Sequence, residues 1–155
     1  MVGPFHDFIL LEKDEYNKLG YGGFFHDERR SSISDDLIRY ILDTLSWIPS
    51  QNPSNEKSWK GYGLNLYGPT LFTSEGGRIA SQVFQHWIGL FKLAPPSFQL
   101  HSGFVTTSKE NGEEVLLPHV IHVEKEECIL LFETIVHWAH KVSVDEHYVL
   151  LHNGV

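Results

Sequence analysis

The chain has 155 residues, of which 41% are hydrophobic and 21% are charged, a composition typical of one folded domain with its own core. Twelve basic and twenty acidic residues give a formal net charge of −8, which disfavours nucleic acids and favours a basic protein partner. No apolar run is long enough to span a bilayer, and the first residues lack the pattern of a signal peptide. Cys128 is the single cysteine, so no internal disulfide can form. We therefore expect a cytoplasmic protein that does not associate with membranes.

The first sixty residues predict an N-terminal α/β extension with one clear helix. Residues 8–11 form a short apolar run typical of a strand, and a helical turn follows that ends at Gly20. The clear helix begins after Ser34, whose hydroxyl can cap it, and Pro49 ends its pattern. Its apolar residues recur at helical spacing: Leu37, Ile38, Ile41, Leu42 and Leu45. The polar stretch from Pro49 to Lys60 predicts a surface loop.

Residues 61–155 predict the order β-α-β-β-α-β. The expected strands are 63–67, 98–106, 115–123 and 148–152, with one amphipathic helix after Thr73 or Ser74 and another after Glu124. Asn111-Gly112 indicates a hairpin turn, and Pro118 indicates a sheet edge or a bulge.

This order is typical of the ferredoxin-like α+β fold, in which both helices cover one face of a four-stranded antiparallel sheet. The whole chain would then be one domain, with residues 1–60 as the extension and residues 61–155 as the core. The alternative is a larger sheet in which the N-terminal strand also pairs.

Ten histidines suggest a metal site, but their spacing does not support one. His119 and His122 are three apart on a predicted strand, which places their rings on opposite faces. His137 and His140 share a face of the last helix, opposite its apolar stripe, where solvent is the expected neighbour. We therefore predict no metal and no cofactor. That prediction fails if histidines converge with acidic groups, and the candidates are His86, His101, His122 and His137.

No other familiar catalytic pattern is present. Cys128 falls in the apolar stripe of the last helix, where a buried thiol behaves as a small apolar side chain. The chain has no G-x-S-x-G motif of the serine hydrolases. We predict no catalytic residue.

Acidic and aromatic side chains provide a candidate partner-binding set. Glu110, Glu113 and Glu114 surround the predicted hairpin tip, and a full strand separates them from the acidic start of the last helix. Trp59 and Tyr62 flank the polar loop, and exposed rings of this kind anchor protein interfaces. These five residues are the predicted interface.

Three short runs resemble a group of small uncharacterised bacterial proteins, some of which resemble immunity proteins encoded beside secreted toxins. The runs are GYGLNLYGPT at residues 61–70, WIGLF at residues 87–91, and Ala94-Pro95. The resemblance covers about Trp59 to the C-terminus. Glycines, a proline and core aromatic residues carry it, so it transfers no functional residue.

Acidic balance, the lack of a catalytic motif and this resemblance together predict a non-enzymatic protein-binding protein. The resemblance implies a toxin-neutralising immunity protein that acts by occlusion on a basic toxin domain. A small-molecule-binding α+β domain and an enzyme with a dispersed His/Glu site are the alternatives. A homodimer is compatible with all three.

Overall fold

The structure is a computed structural model and describes residues 4–55 and 60–155. The strands are β1 (Phe5–Glu12), β2 (Ser31–Ser34), β3 (Pro49–Gln51), β4 (Lys60–Tyr62), β5 (Pro69–Phe72), β6 (Ser97–Ser108), β7 (Glu114–Glu124) and β8 (Tyr148–Asn153). The helices are α1 (Lys13–Leu19), α2 (Asp35–Tyr40), α3 (Leu42–Leu45), α4 (Ser74–Phe91) and α5 (Lys125–Val144), and a 3₁₀ turn covers Tyr21–Phe24.

Six strands form one antiparallel sheet in the order β2-β1-β8-β5-β3-β4. The first and last strands of the chain, β1 and β8, lie side by side at its centre, with Phe8 opposite His152 and Leu11 opposite Val149. On its other side β8 pairs with β5, where Leu71 stands opposite Leu151. Segments near both ends of the chain, β1 and β8, are therefore parts of the core of the fold.

Both faces of the sheet centre are buried. Side chains alternate along a strand, so Phe8 faces the long helices, where it meets the ring of Phe84 edge-on at 6.2 Å between centroids. Its neighbour Ile9 faces the other way and packs in a smaller cluster with Leu71 and with Phe24 of the 3₁₀ turn. A strand covered on both faces needs a continuous apolar run, which explains residues 8–11.

The long helices α4 and α5 pack against each other and against the sheet. Phe84 and Phe132 meet edge-on with 5.0 Å between ring centroids. The two predicted amphipathic helices are confirmed, because each buries one apolar face. The buried side chains on these faces are: Ala80, Phe84, Ile88, Phe91, Cys128, Phe132, Ile135, Ala139 and Val142. None of the helices in residues 4–55 and 60–155 combines the length and the apolar composition needed to cross a bilayer.

β6, β7 and the turn between them form a separate two-stranded ribbon, which we call the arm. At its base Ile121 and Val123 are buried in the main core. The strand register shifts between His101, which is opposite Val120, and Phe104, which is opposite Pro118. Of the edge or the bulge that Pro118 predicts, the structure therefore shows a bulge next to Pro118. Beyond the bulge most side chains of the arm are exposed.

The predicted fold class is confirmed, since the chain is an α+β protein whose helices pack on an antiparallel sheet. The element order β5-α4-β6-β7-α5-β8 also agrees with the prediction. The ferredoxin-like pairing is corrected, because β6 and β7 stay outside the sheet and β1 occupies its centre. A central strand must be buried on both faces, which the apolar run of β1 allows. Strands β6 and β7 carry polar residues such as Gln99 and His122 among their apolar ones, so they are less suited to that place.

Other elements also differ from the prediction. The surface loop predicted from Pro49 to Lys60 begins with β3 and ends at the first residue of β4. Residues 63–67 form a loop, and the strand begins at Pro69, where a residue without a backbone N–H is tolerated because it is the first of the strand. The single helix predicted after Ser34 is divided into α2 and α3 at Ile41, whose backbone angles are φ −98° and ψ 6°. Ser34 does cap α2, because its Oγ accepts from the Leu37 N–H at 3.3 Å.

Candidate functional site

The arm presents apolar side chains on both of its faces. Val105 lies directly opposite Leu117, and Thr106 lies opposite Leu116; cross-strand partners share a face and successive residues alternate. One face therefore carries Val105 and Leu117, which are 45% and 47% exposed. The other carries Leu116 together with Phe104, and these are 66% and 69% exposed. The exposed apolar side chains on the two faces of the arm are therefore a candidate interaction surface.

The tip of the arm is acidic. Glu110, Glu113 and Glu114 are all exposed there, and Lys109 is the nearby base, with its Nζ 3.0 Å from a carboxylate oxygen of Glu113. Gly112 occupies the left-handed region with φ 80°, which confirms the predicted turn. Three acids and one base give residues 109–114 a net charge of −2.

The four described residues of the predicted interface do not form one site. The three glutamates lie together at the tip of the arm. Tyr62 is 74% exposed but lies on β4, at the far edge of the six-stranded sheet. Trp59 lies outside the described residues. The glutamates thus share a surface with the apolar side chains of the arm, and Tyr62 belongs to a separate one.

A groove of about 550 Å³ lies between α2 and the base of the arm. Its polar lining residues are Asp35, Asp36, Arg39, Tyr40, His101, Ser102 and His119, and Phe104 and Val105 of the arm complete the lining. The Nε2 atom of His119 lies 3.0 Å from Oδ1 of Asp36, so a carboxylate–imidazole pair links the arm to α2. His101 is the one of the four candidate histidines that lines this groove with acidic groups.

Behind the groove, four side chains form a hydrogen-bonded row on the face of the sheet that the long helices cover. Asp35 Oδ1 lies 2.8 Å from His6 Nε2, and His6 Nδ1 lies 2.8 Å from His152 Nε2. His152 Nδ1 is 3.3 Å from the hydroxyl of Thr70. We call these four residues the histidine row. Both imidazoles are fully buried, and their rings stack at 5.1 Å.

Charges at the exposed end of the histidine row are balanced. Burial raises the pKa of Asp35, but hydrogen bonds from His6 and Arg39 outweigh it and hold that pKa below its ordinary value. The Arg39 Nε donates to Asp35 Oδ2 at 2.7 Å, and a second Arg39 nitrogen donates to the Tyr67 hydroxyl at 3.2 Å. Asp35 is therefore ionised at neutral pH and accepts from both neighbours.

The remaining candidate histidines have local surroundings. His86 Nδ1 lies 2.7 Å from the Gln82 carbonyl of its own helix, and His122 lies beside Gln99. His137 is exposed on α5. Among residues 4–55 and 60–155, no three His, Cys, Asp or Glu side chains are arranged to hold a metal ion.

The spacing of histidines along the chain does not indicate His6 and His152. They are 146 residues apart, so spacing along the chain gives no signal for their contact. A weaker signal exists, because His152 ends the apolar run of a predicted strand and His6 precedes one. Only the pairing of β1 with β8 brings the two rings together.

Comparison of this chain with protein-family models, with curated proteins and with solved structures finds no match. The resemblance to immunity proteins stays a prediction.

Proposed function

We propose that this chain is a non-enzymatic protein-binding protein that engages a basic partner through its arm. The observation that carries the proposal is the exposure of Phe104, Val105, Leu116 and Leu117 on opposite faces of one ribbon. Exposure of apolar side chains to water is unfavourable in free energy. A partner that covers these side chains removes that unfavourable exposure and so gains binding free energy.

Apolar groups on both faces favour insertion over contact with a flat surface. A flat partner would cover Leu116 and Phe104 or Val105 and Leu117, and would leave the other pair in water. A cleft covers both pairs, and it places large side chains in the water-excluded centre that dominates binding free energy. The partner that fits is therefore a protein with an apolar cleft.

Charge favours a basic partner over a second copy of this chain. The acidic tip would enter the cleft first, and complementary charge speeds encounter and selects the partner. A second copy carries the same net charge of −8 and would repel the tip. A basic toxin domain, neutralised by occlusion of its substrate cleft, is the narrower form of this proposal.

The test uses purified products of the genes beside the one that encodes this chain. We expect one of them to form a stoichiometric complex, measured by light scattering and calorimetry. Replacing Phe104→Ser together with Leu116→Ser should weaken binding at least tenfold, because loss of buried anchors costs about 1–2 kcal/mol each. Leu130→Ser is the matched control, since Leu130 is 65% exposed on α5, and it should change affinity less than twofold.

Charge reversal at the tip tests the basic partner separately. The triple variant Glu110→Lys, Glu113→Lys and Glu114→Lys should slow association about tenfold or more at low salt, whereas Glu133→Lys on α5 should not. Absence of any stoichiometric complex contradicts the proposal. Self-association of the free chain that the Phe104→Ser and Leu116→Ser changes abolish would also overturn it in favour of a homodimer.

The groove supports a second candidate, a small-molecule-binding domain. Its volume of about 550 Å³ is within the range of ligand sites, and polar groups of both charges line it. A metabolite that fits should raise the melting temperature of the chain, and His119→Ala should abolish the rise. If no metabolite class raises it, this candidate is refuted.

A further inference from the structure

A second groove, of about 360 Å³, lies where the segment around α3 meets α4. From α4 it takes Ile79, Val83, Trp87 and Leu90, which follow one another every three or four residues and so share one face of the helix. Trp47, which follows α3, also lines it. We call this surface the indole groove. None of its described lining residues also lines the groove beside α2.

The Trp87 indole is held in place before any ligand arrives. Its Nε1 donates to the hydroxyl of Thr44 at 2.8 Å, and that hydroxyl donates to the Ile41 carbonyl at 2.8 Å. The indole also lies against the rings of Tyr40 and Phe91, with centroids 6.0 Å and 5.5 Å away. A wall fixed in this way loses little freedom on binding, which favours affinity.

The Trp47 indole is open to water, since its side chain is 65% exposed, and the neighbouring lining residue Leu90 is 57% exposed. Within residues 4–55 and 60–155, no hydrogen bond or ring contact joins the Trp47 side chain to another residue. Contact of so much apolar surface with water is unfavourable, and a ligand that packs against Trp47 and Leu90 removes it.

The indole groove is uncharged. Among the residues that the structure describes, no Asp, Glu, Lys or Arg lines it, although the chain contains 12 basic and 20 acidic residues. A charged ligand would lose its water there without gaining a partner of opposite charge. The groove therefore selects uncharged molecules.

His86 gives the lining one directional polar group. Its Nδ1 lies 2.7 Å from the carbonyl oxygen of Gln82. Because a carbonyl only accepts, Nδ1 carries the hydrogen, and Nε2 of the neutral ring is an acceptor. A ligand hydroxyl or ring N–H is the group that matches it.

The size of the groove favours a small molecule over a protein. Eight residues line it, whereas a stable protein interface takes about 20–30 residues from each side. Its volume of about 360 Å³ is within the range of ligand pockets, which are mostly apolar and aromatic with a few polar groups.

We propose that the indole groove binds an uncharged aromatic molecule of one or two fused rings that carries a hydrogen-bond donor. The rings pack against Trp47 and Trp87, and the donor binds Nε2 of His86. The arm takes no part in this site, so the inference holds or fails separately from the proposed function.

Titration of the full chain with indole and with 2-naphthol, followed by NMR of the tryptophan N–H signals, tests the site. We expect the Trp47 and Trp87 signals to shift with a dissociation constant of about 1 mM or tighter for at least one probe, while the signal of Trp138 on α5 stays in place. The charged 2-naphthoate should bind at least tenfold more weakly than 2-naphthol. 1-Methylindole, which lacks the N–H, should bind about threefold or more weakly than indole.

Variants of exposed residues locate the binding groups. Trp47→Ala should weaken binding of both probes at least tenfold. Leu130→Ala is the matched control, since Leu130 on α5 is also 65% exposed, and it should change affinity less than twofold. His86→Ala should remove the preference for indole over 1-methylindole, because the acceptor is lost.

Three results would overturn the inference. Unchanged Trp47 and Trp87 signals up to the solubility limit of both probes would show that the groove holds no such ligand. Equal affinity for 2-naphthoate and 2-naphthol would show that the groove does not select uncharged molecules. Self-association of the free chain that Trp47→Ala abolishes would show that a second copy covers the groove.

Discussion

His6 and His152 show what one residue can contribute to the choice of fold. Burying an imidazole without partners is unfavourable, but in the histidine row each ring nitrogen has a partner. A slip of β1 by one residue along β8 would move His6 to the opposite face, away from Asp35 and His152, and would leave the Nε2 of His152 without its partner. The two histidines therefore select one register for the central pair of strands, which apolar neighbours alone would leave less specific.

Cys128 provides a prediction at the same scale. Its side chain is 4% exposed, and burial raises the pKa of the thiol to about 11. Compared with an exposed thiol of pKa about 8.5, its thiolate fraction at pH 8 is about two orders of magnitude smaller. We expect Ellman's reagent to modify the folded chain at least a hundredfold more slowly than the chain in denaturant. Equal rates would show that the α5 stripe opens to solvent.

At the scale of elements, helices were predictable from the sequence and strand partners were not. A helix shows its buried face in its own sequence, so the stripes through Phe84 and Phe132 indicated α4 and α5 correctly. A strand shows whether it is buried but not which strand it contacts. The apolar run of β1 predicted a strand, but its burial on both faces and its place beside β8 depend on contacts some 140 residues away in the chain.

Packing between α4 and α5 explains why residue 77 is a glycine. Glycine weakens a helix interior, yet Gly77 lies in the first turns of α4, where an added Cβ would stand 2.6 Å from the Ala139 carbonyl oxygen and 3.2 Å from the Ser143 nitrogen. Both atoms belong to the backbone of α5. The glycine therefore permits the close approach of the two helices.

The corresponding variants should have opposite effects. Gly77→Ala must separate α4 from α5, and we expect a loss of about 1–3 kcal/mol in the free energy of unfolding. Gly89→Ala on the same helix meets no atom within 4 Å and should stabilise the chain by up to about 1 kcal/mol. Urea denaturation measures both. Stabilisation by both changes would show that the helices are not in close contact at Gly77.

At the scale of the whole molecule, the sheet takes strands from both parts of the chain. β1, β2 and β3 come from the first sixty residues, and β5 and β8 come from the rest. The prediction treated residues 1–60 as an extension and residues 61–155 as the core, because the long amphipathic helices lie in residues 61–155. The pairing of strands does not respect a boundary at residue 60, because β1, the most apolar strand of the N-terminal part, lies at the centre of the sheet beside β8.

This arrangement predicts that residues 61–155 do not fold alone. Without β1 the central strand β8 has one open edge, and the contacts of Phe8, Ile9 and Leu11 are lost from both faces of the sheet. Burial of each such side chain contributes about 1.5–3 kcal/mol, and three of them together approach the total stability of a typical domain, about 5–15 kcal/mol. We expect poor dispersion of amide proton shifts and no cooperative thermal transition for the fragment.

Co-expression of residues 1–60 in trans supplies the matched control. It returns β1 to its place between β2 and β8, so the two fragments should form a complex that unfolds cooperatively. A fragment of residues 61–155 that unfolds cooperatively by itself would mean that β6 and β7 can complete the sheet in place of β1. The ferredoxin-like pairing would then be available to this sequence, and burial of β1 on both faces would be what prevents it in the full chain.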